Sequence, residues 1–243
     1  MKLIVPNKMS EIKLADYQKF VRLEGDDEFL SRKAVEIFCD LKMDVILQMK
    51  SSSLTSVTSI LMNAFAEKPA LTQKFTIGKQ TFGFLPSLEE ITVGELNDVD
   101  QYISDWSQMH KAMAVLYRPV VATFGNRYEI EKYEGSDKYA EQMKEMPLDV
   151  TIGAMLFFLD FRKRFVSRFP DLFGEGGGDE FDPAAQFSKK WGWFPIYHQL
   201  SGGDPLKIEQ VSKMSAAFAF TYLTFEKDRI ETENKILKKQ LKR

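Results

Sequence analysis

Apolar positions in the first fifty residues recur with a helical period. Ile12, Leu14, Tyr17, Phe20, Val21 and Leu23 do so over residues 11–24, and Phe29, Leu30, Ala34, Ile37, Phe38, Leu41, Val45, Ile46 and Met49 over residues 28–49. Between the two runs, Glu24-Gly25-Asp26-Asp27 supplies a glycine stop and then an acidic helix start, where the helix dipole favours carboxylates. A helical hairpin is predicted. Ser51, Ser52 and Ser53 precede Leu54, Val57, Ile60, Leu61 and Phe65, so a serine is expected to cap a third helix that stops before Pro69.

The period then shortens to two. In Phe75-Thr76-Ile77-Gly78-Lys79-Gln80-Thr81-Phe82-Gly83-Phe84, apolar residues alternate about a glycine-containing turn, which predicts a small β-hairpin near residues 74–85. Pro86 closes it. Thr92-Val93-Gly94-Glu95 has the spacing of a capping box, so a helix should begin there and pass through Val99, Tyr102, Ile103 and Trp106. It runs on or restarts through Met109, Met113, Val115 and Leu116, and Pro119 should end it. Residues 125–147 are polar and tyrosine-containing and read as a loop or a short exposed helix. The shared shape of Glu11-Ile12-Lys13-Leu14 and Glu90-Ile91-Thr92-Val93 is better explained by two helix entries than by duplication, since no fixed long period accompanies it.

Residues 148–169 form another apolar helical run. Its most apolar part, residues 152–161, is ten residues long and is followed by Arg162, Lys163 and Arg164, well short of the roughly 20 residues a membrane span needs. It reads as a buried helix. Residues 171–182 are glycine-rich and read as a linker. Beyond it stand an aromatic block, Phe187 with Trp191, Trp193, Phe194 and Tyr197, and then Asp204-Pro205, a helix start with its cap and first residue in place. The last helix is expected to run from about Pro205 toward Arg243, roughly 55 Å if continuous. Ile208, Val211, Met214, Ala217, Phe218, Leu223 and Phe225 should pack its first half, while its second half is mostly charged.

The fold class predicted is mainly α: a helical domain over residues 1–170 with a small β-hairpin insertion, the linker, and residues 183–243 carrying the aromatic block and the long C-terminal helix. Composition leaves this picture intact. The 243 residues include 33 basic and 35 acidic side chains, a net charge of −2, so no global field would hold a polyanion, and nucleic acid is not an expected partner. Cys39, the one cysteine, sits in an apolar helical stretch and excludes a disulfide within one chain. The apolar run before Pro6 is too short for a signal-peptide core.

Candidate chemistry is sparse. His110 and His198 are the only histidines, and with one cysteine they cannot supply the nitrogen and sulfur ligands of a zinc site. Gly174-Glu175-Gly176-Gly177-Gly178 lacks the Gly-Lys-Ser/Thr of a phosphate loop, and the acidic pairs Asp26-Asp27, Glu89-Glu90 and Asp179-Glu180 lack EF-hand spacing. No cofactor, metal or catalytic residue is expected. Trp191, Trp193, Phe194 and Tyr197 have only Lys189 and Lys190 beside them, so they read as a mini-core or a partner surface rather than a nucleic-acid platform.

The last stretch carries more information. Glu226, Asp228, Glu231 and Glu233 come first and Lys235, Lys238, Lys239, Lys242 and Arg243 last, an order that complements the helix dipole. Ile230, Ile236, Leu237 and Leu241 form a thin apolar stripe along it, which needs another helix from this chain, a second copy or a partner.

Several patches resemble proteins of tailed bacteriophages. Val5-Pro6-Asn7-Lys8-Met9-Ser10-Glu11-Ile12, Phe82-Gly83-Phe84-Leu85-Pro86 and Ala114-Val115-Leu116-Tyr117-Arg118-Pro119 are similar to stretches of virion-module proteins. Trp193-Phe194-Pro195-Ile196-Tyr197, Gly203-Asp204-Pro205 and the helix after them resemble the end of tail assembly chaperones. The resemblance implies a non-enzymatic helical protein that binds the tape-measure protein in the host cell cytoplasm and keeps its apolar helices from aggregating while the tail tube polymerises. The alternative it leaves open is a structural virion component such as a neck, baseplate or cargo protein. A homo-oligomer is compatible with either, and no membrane partner is expected.

Overall fold

The computed structural model describes residues 3–173, 187 and 190–241, and the chain is mainly helical with a four-stranded antiparallel sheet. Most of the expected linker, residues 174–182, and the Asp179-Glu180 pair, Lys189, Lys242 and Arg243 lie outside the described residues. Backbone contacts divide the chain into two compact units, residues 1–86 with 99–158, and residues 87–98 with 159–243. The sequence placed the division at the glycine run; contacts place breaks after Pro86 and inside two helices, and residues 87–98 hydrogen-bond to a distant part of the second unit.

In the first unit a short 3-10 turn at Met9–Glu11 leads into α1 (Leu14–Phe20), α2 (Asp27–Phe38), α3 (Met43–Leu47) and α4 (Ser51–Ala64). The Asp26 carboxylate caps α2, accepting from Phe29 N at 2.8 Å. The single helix expected over residues 28–49 is broken: Asp40 takes φ 50°, a left-handed conformation that ends α2 and turns the chain into α3. The serines expected to cap α4 lie inside it, since the N-cap is Lys50 and makes no side-chain cap. Here hydroxyls bond back along the helix, Thr55 Oγ1 donating to Ser51 O at 3.0 Å and Ser56 Oγ to Ser52 O at 2.9 Å.

Met9, Ile12, Ala34, Val35, Phe38, Leu41, Ile46, Val57, Leu61 and Leu148 bury one another in the core of these helices, and Tyr17, Phe20, Phe65 and Trp106 pack on its edge. Cys39 is half-buried at the end of α2, where burial pushes its thiol up to about 11, so it behaves as a small apolar group.

The hairpin lies where alternation predicted it, β1 (Lys74–Ile77) and β2 (Gln80–Phe84), turning at Gly78 with φ 61°. It is half of a larger sheet. After α5 (Val93–Tyr102) and α6 (Met109–Leu116), the chain enters β3 (Tyr117–Phe124) and β4 (Arg127–Ile130), and the strand order is β1-β2-β3-β4. This corrects two expectations: Pro119 sits inside a strand rather than ending a helix, and residues 127–130, expected to be loop or short exposed helix, are a strand. The proline fits because it lies where β4 ends, beside a bulge between Val120 and Ala122, and its carbonyl still accepts from Glu131 N at 2.9 Å. Phe82 and Phe84 of β2 pair with Pro119 and Tyr117 of β3. Tyr117 is buried between Phe75 and Phe84, ring centroids 5.0 and 5.2 Å away, and donates its hydroxyl to Thr72 O at 2.6 Å.

Two helices follow the sheet, α7 (Asp137–Met143) and α8 (Leu148–Val166). Gly153 lies on α8 where a Cβ would stand 2.3 Å from Ala70 O, so only glycine lets these backbones approach. The expectation of a buried helix holds for one face alone: Ala154, Phe158, Phe161 and Phe165 are buried, whereas Leu156, Phe157 and Leu159 are exposed. Among the described residues no helix is long and apolar enough to cross a membrane.

The second unit contains the rest of α8, α9 (Pro170–Phe173), α10 (Phe194–Leu200), a 3-10 turn at Pro205–Lys207, α11 (Ile208–Ser212) and α12 (Ala216–Gln240). The long final helix expected from Pro205 is therefore interrupted. Val93 N donates to Met214 O and Ala216 N to Ile91 O, both at 2.9 Å, so Met214 and Ala216 spend these backbone groups on the entry to α5. Asp204 caps a 3-10 turn, accepting from Leu206 N at 3.0 Å. The unbroken part, α12, is about 37 Å long.

Candidate binding surface

Every residue singled out as a candidate partner contact lies in the second unit, and packing sorts the set into three. Trp193 and Tyr197 turn inward. Trp193 stacks on Phe220 of α12 at 5.9 Å, and Phe220 also meets Phe165 and Phe169 at 5.6 and 5.5 Å. Tyr197 is buried, and desolvation, helped by the Asp98 carboxylate, pushes its hydroxyl up to about 12. These two residues pack against the unit's own core.

Trp191 and Phe194 turn outward, 44% and 49% exposed. With Phe187 they form a chain of tilted rings, centroids 6.2 and 5.7 Å apart, and Lys190 lies over the Trp191 ring at 5.2 Å. Together with Pro195, His198 and the backbone at Gly202 and Gly203 they line an open, largely apolar groove of about 620 Å³. The glycines shape its floor: Gly202 and Gly203 take φ 65° and 79°, and a Cβ on Gly203 would stand 3.4 Å from His198 Nε2. The groove follows α10, which begins at Phe194 and Pro195 and stops before the glycine pair.

Ile230, Ile236, Leu237 and Leu241 form the third group, all exposed on the outer part of α12. The described residues do not bring them onto the aromatic groove. Arg229 ties this part of the helix internally, pairing with Glu226 at 2.7 Å and Glu233 at 2.8 Å.

The expectation for the inner half of α12 needs correction. Phe218 and Phe225 were assigned to the packed face but are 62% and 59% exposed, with Tyr222 between them also exposed. Ala216, Ala219, Phe220 and Leu223 are the buried positions. A helix with aromatic residues at 218, 220, 222 and 225 is apolar nearly all round, so its period does not say which face the core takes. Phe218, Tyr222 and Phe225, at i, i+4 and i+7, thus form an exposed aromatic stripe that the sequence reading missed.

Among the described residues no group of three or more His, Cys, Asp or Glu could hold a metal ion. Among the described residues, His198 is the one titratable side chain that lines the groove. His110 belongs to the first unit. It is buried, and its Nδ1 accepts from Gln18 Nε2 at 3.1 Å, the same amide that donates to Trp106 O at 2.6 Å. Comparison with known proteins returns no matching family model, no matching curated protein and no matching solved structure.

Proposed function

We propose that this protein is a non-enzymatic binding protein of the tail assembly chaperone type, taking an apolar helical segment of a phage tail protein such as the tape measure. The observation that carries the reading is the aromatic groove: Trp191 and Phe194 are held outward while Trp193 and Tyr197 anchor the same short helix inward. An inward anchor fixes the outward rings without further ordering cost, the preorganisation a binding surface needs. Rings at this spacing suit an amphipathic helix laid into a groove, and the described lining is largely apolar. The exposed stripe of Phe218, Tyr222 and Phe225 offers the same kind of surface.

Co-expression with the tape-measure protein tests it. The expected result is a soluble complex that is lost in the Trp191→Ala/Phe194→Ala double variant, while the variant itself melts as the parent does. No complex and no gain in tape-measure solubility would sink the reading. Mass spectrometry of purified particles separates it from the structural alternative, since a chaperone should be absent or sub-stoichiometric and a virion component present in fixed number.

A further inference from the structure

We infer that the outer part of α12 is a self-association arm, pairing antiparallel with the same segment of a second copy of this chain. Residues 228–241 are all exposed, so this length of helix contributes no buried residue to its own unit. A helix without tertiary packing is marginal in water, which leaves its order to local ion pairs or to another helix.

The positions that want cover are regular. Ile230, Asn234, Leu237 and Leu241 follow one another at spacings of four, three and four, the seam of a two-stranded coiled coil, and the three apolar members are all exposed. Leu223 would continue the seam inward but is already buried in the unit, so the free seam begins at Ile230.

Charge selects the occupant. Residues 226–233 hold four carboxylates against two cations, whereas residues 234–241 hold three lysines and no carboxylate. Arg229 pairs with Glu226 and Glu233, and Lys235 reaches Glu231 at 3.7 Å. Lys238 and Lys239 have no such recourse: positions 234, 235 and 236, a turn before them, are Asn, Lys and Ile. The arm is thus acidic at one end and basic at the other, complementary to itself when reversed.

A parallel pair would set lysine beside lysine. An antiparallel pair sets each basic half on an acidic half and opposes the two helix dipoles. With Ile230 opposite the second copy's Leu241, Glu231 comes within a turn of the second copy's Lys238. Asn234 then lies opposite the second copy's Leu237 and within a turn of the second copy's Asn234 across the two-fold axis, near enough for the two amides to meet. The seam is short and its area falls below that of a standard interface, so the dimer is weak and concentration-dependent. This inference stands on the arm alone and does not rest on the tail-protein reading.

Sedimentation of the full-length chain up to about 100 μM is expected to show a reversible monomer–dimer equilibrium, weakened at least tenfold in Ile230→Lys/Leu237→Lys. High salt should weaken it too. Orientation is read by disulfide trapping in a Cys39→Ser background. Mixing Glu231→Cys with Lys238→Cys should give the mixed cross-link in preference to either like pair. A chain that stays monomeric throughout the range, or a dimer indifferent to the two lysines, overturns the inference. Efficient like-with-like cross-linking of Ile230→Cys, whose two copies lie about 16 Å apart along the axis of the antiparallel pair, overturns the antiparallel arrangement by showing the arms in parallel register.

Discussion

Single side chains decide two properties that composition leaves open. His110 is the clearer case. It is buried against Gln18, and its pKa is held below the ordinary 6.5, chiefly by desolvation and then by Lys144, with Lys111 and Arg22 adding to the effect and Glu141 opposing it. An amide nitrogen can only donate, so Nδ1 must accept, and a proton placed there would face another donor. Because the folded pKa is depressed, the unfolded chain takes the proton first: stability from this group is full above pH 6.5 and is lost as pH falls toward the folded value. The melting temperature should therefore decline between pH 7 and pH 5, and His110→Asn, which keeps an acceptor but cannot titrate, should flatten that decline. The second case is the pair Phe218 and Phe220. Phe220→Ala opens a hole among Trp193, Phe165 and Phe169 and should cost about 3–5 kcal/mol by denaturant titration, while Phe218→Ala should change stability by less than about 0.5 kcal/mol.

At the scale of elements, local signals with a complete hydrogen-bond reading could be trusted. The capping box forms as spaced: Glu95 N donates to Thr92 Oγ1 at 3.2 Å and Thr92 N to Glu95 Oε2 at 2.9 Å. Thr92→Ala should cost about 0.5–2 kcal/mol in chemical unfolding, and Glu95→Gln, which keeps an acceptor, should cost less. Signals that depend on which partner takes the backbone were not legible. Residues 117–130 read as a helix end and a loop, yet Tyr117 and Phe124 bound a strand, because β2 offers Phe82 and Phe84 as an edge to pair with. Residues 213–215 break the last helix only because Ile91 and Val93 claim the hydrogen bonds of Ala216 and Met214. Deleting residues 226–243 should leave the melting temperature of a dilute sample nearly unchanged, since residues 227–241 are all exposed; a drop of more than about 5 °C would assign the arm to the core.

For the whole molecule, the two units are not consecutive in sequence. Residues 87–98 carry Ile91, Val93 and Leu96, all buried, and belong with residues 159–243. A fragment cut at residue 170, where composition alone would place a boundary, keeps this segment but loses the backbone of Met214 and Ala216 that it bonds to. Such a fragment should bind a hydrophobic dye and unfold over a broad range, whereas the full chain should not; a sharp transition in the fragment would show residues 1–170 to be a domain in its own right.

Periodicity alone determined that this chain is built mainly of helices with a hairpin at residues 74–85, because both signals are local: a period of 3.6 or of two, bounded by caps, glycines and prolines. It also marked the aromatic block and the charged arm, though not their division of labour. Tertiary structure decided the second hairpin, the break before α12, and which aromatic rings face inward. Each of these turns on a pairing between residues far apart in sequence, which a pattern read along the chain does not contain. At residue 220 the core had one place for a ring, and the neighbouring rings at 218 and 222 were left outside to meet something else.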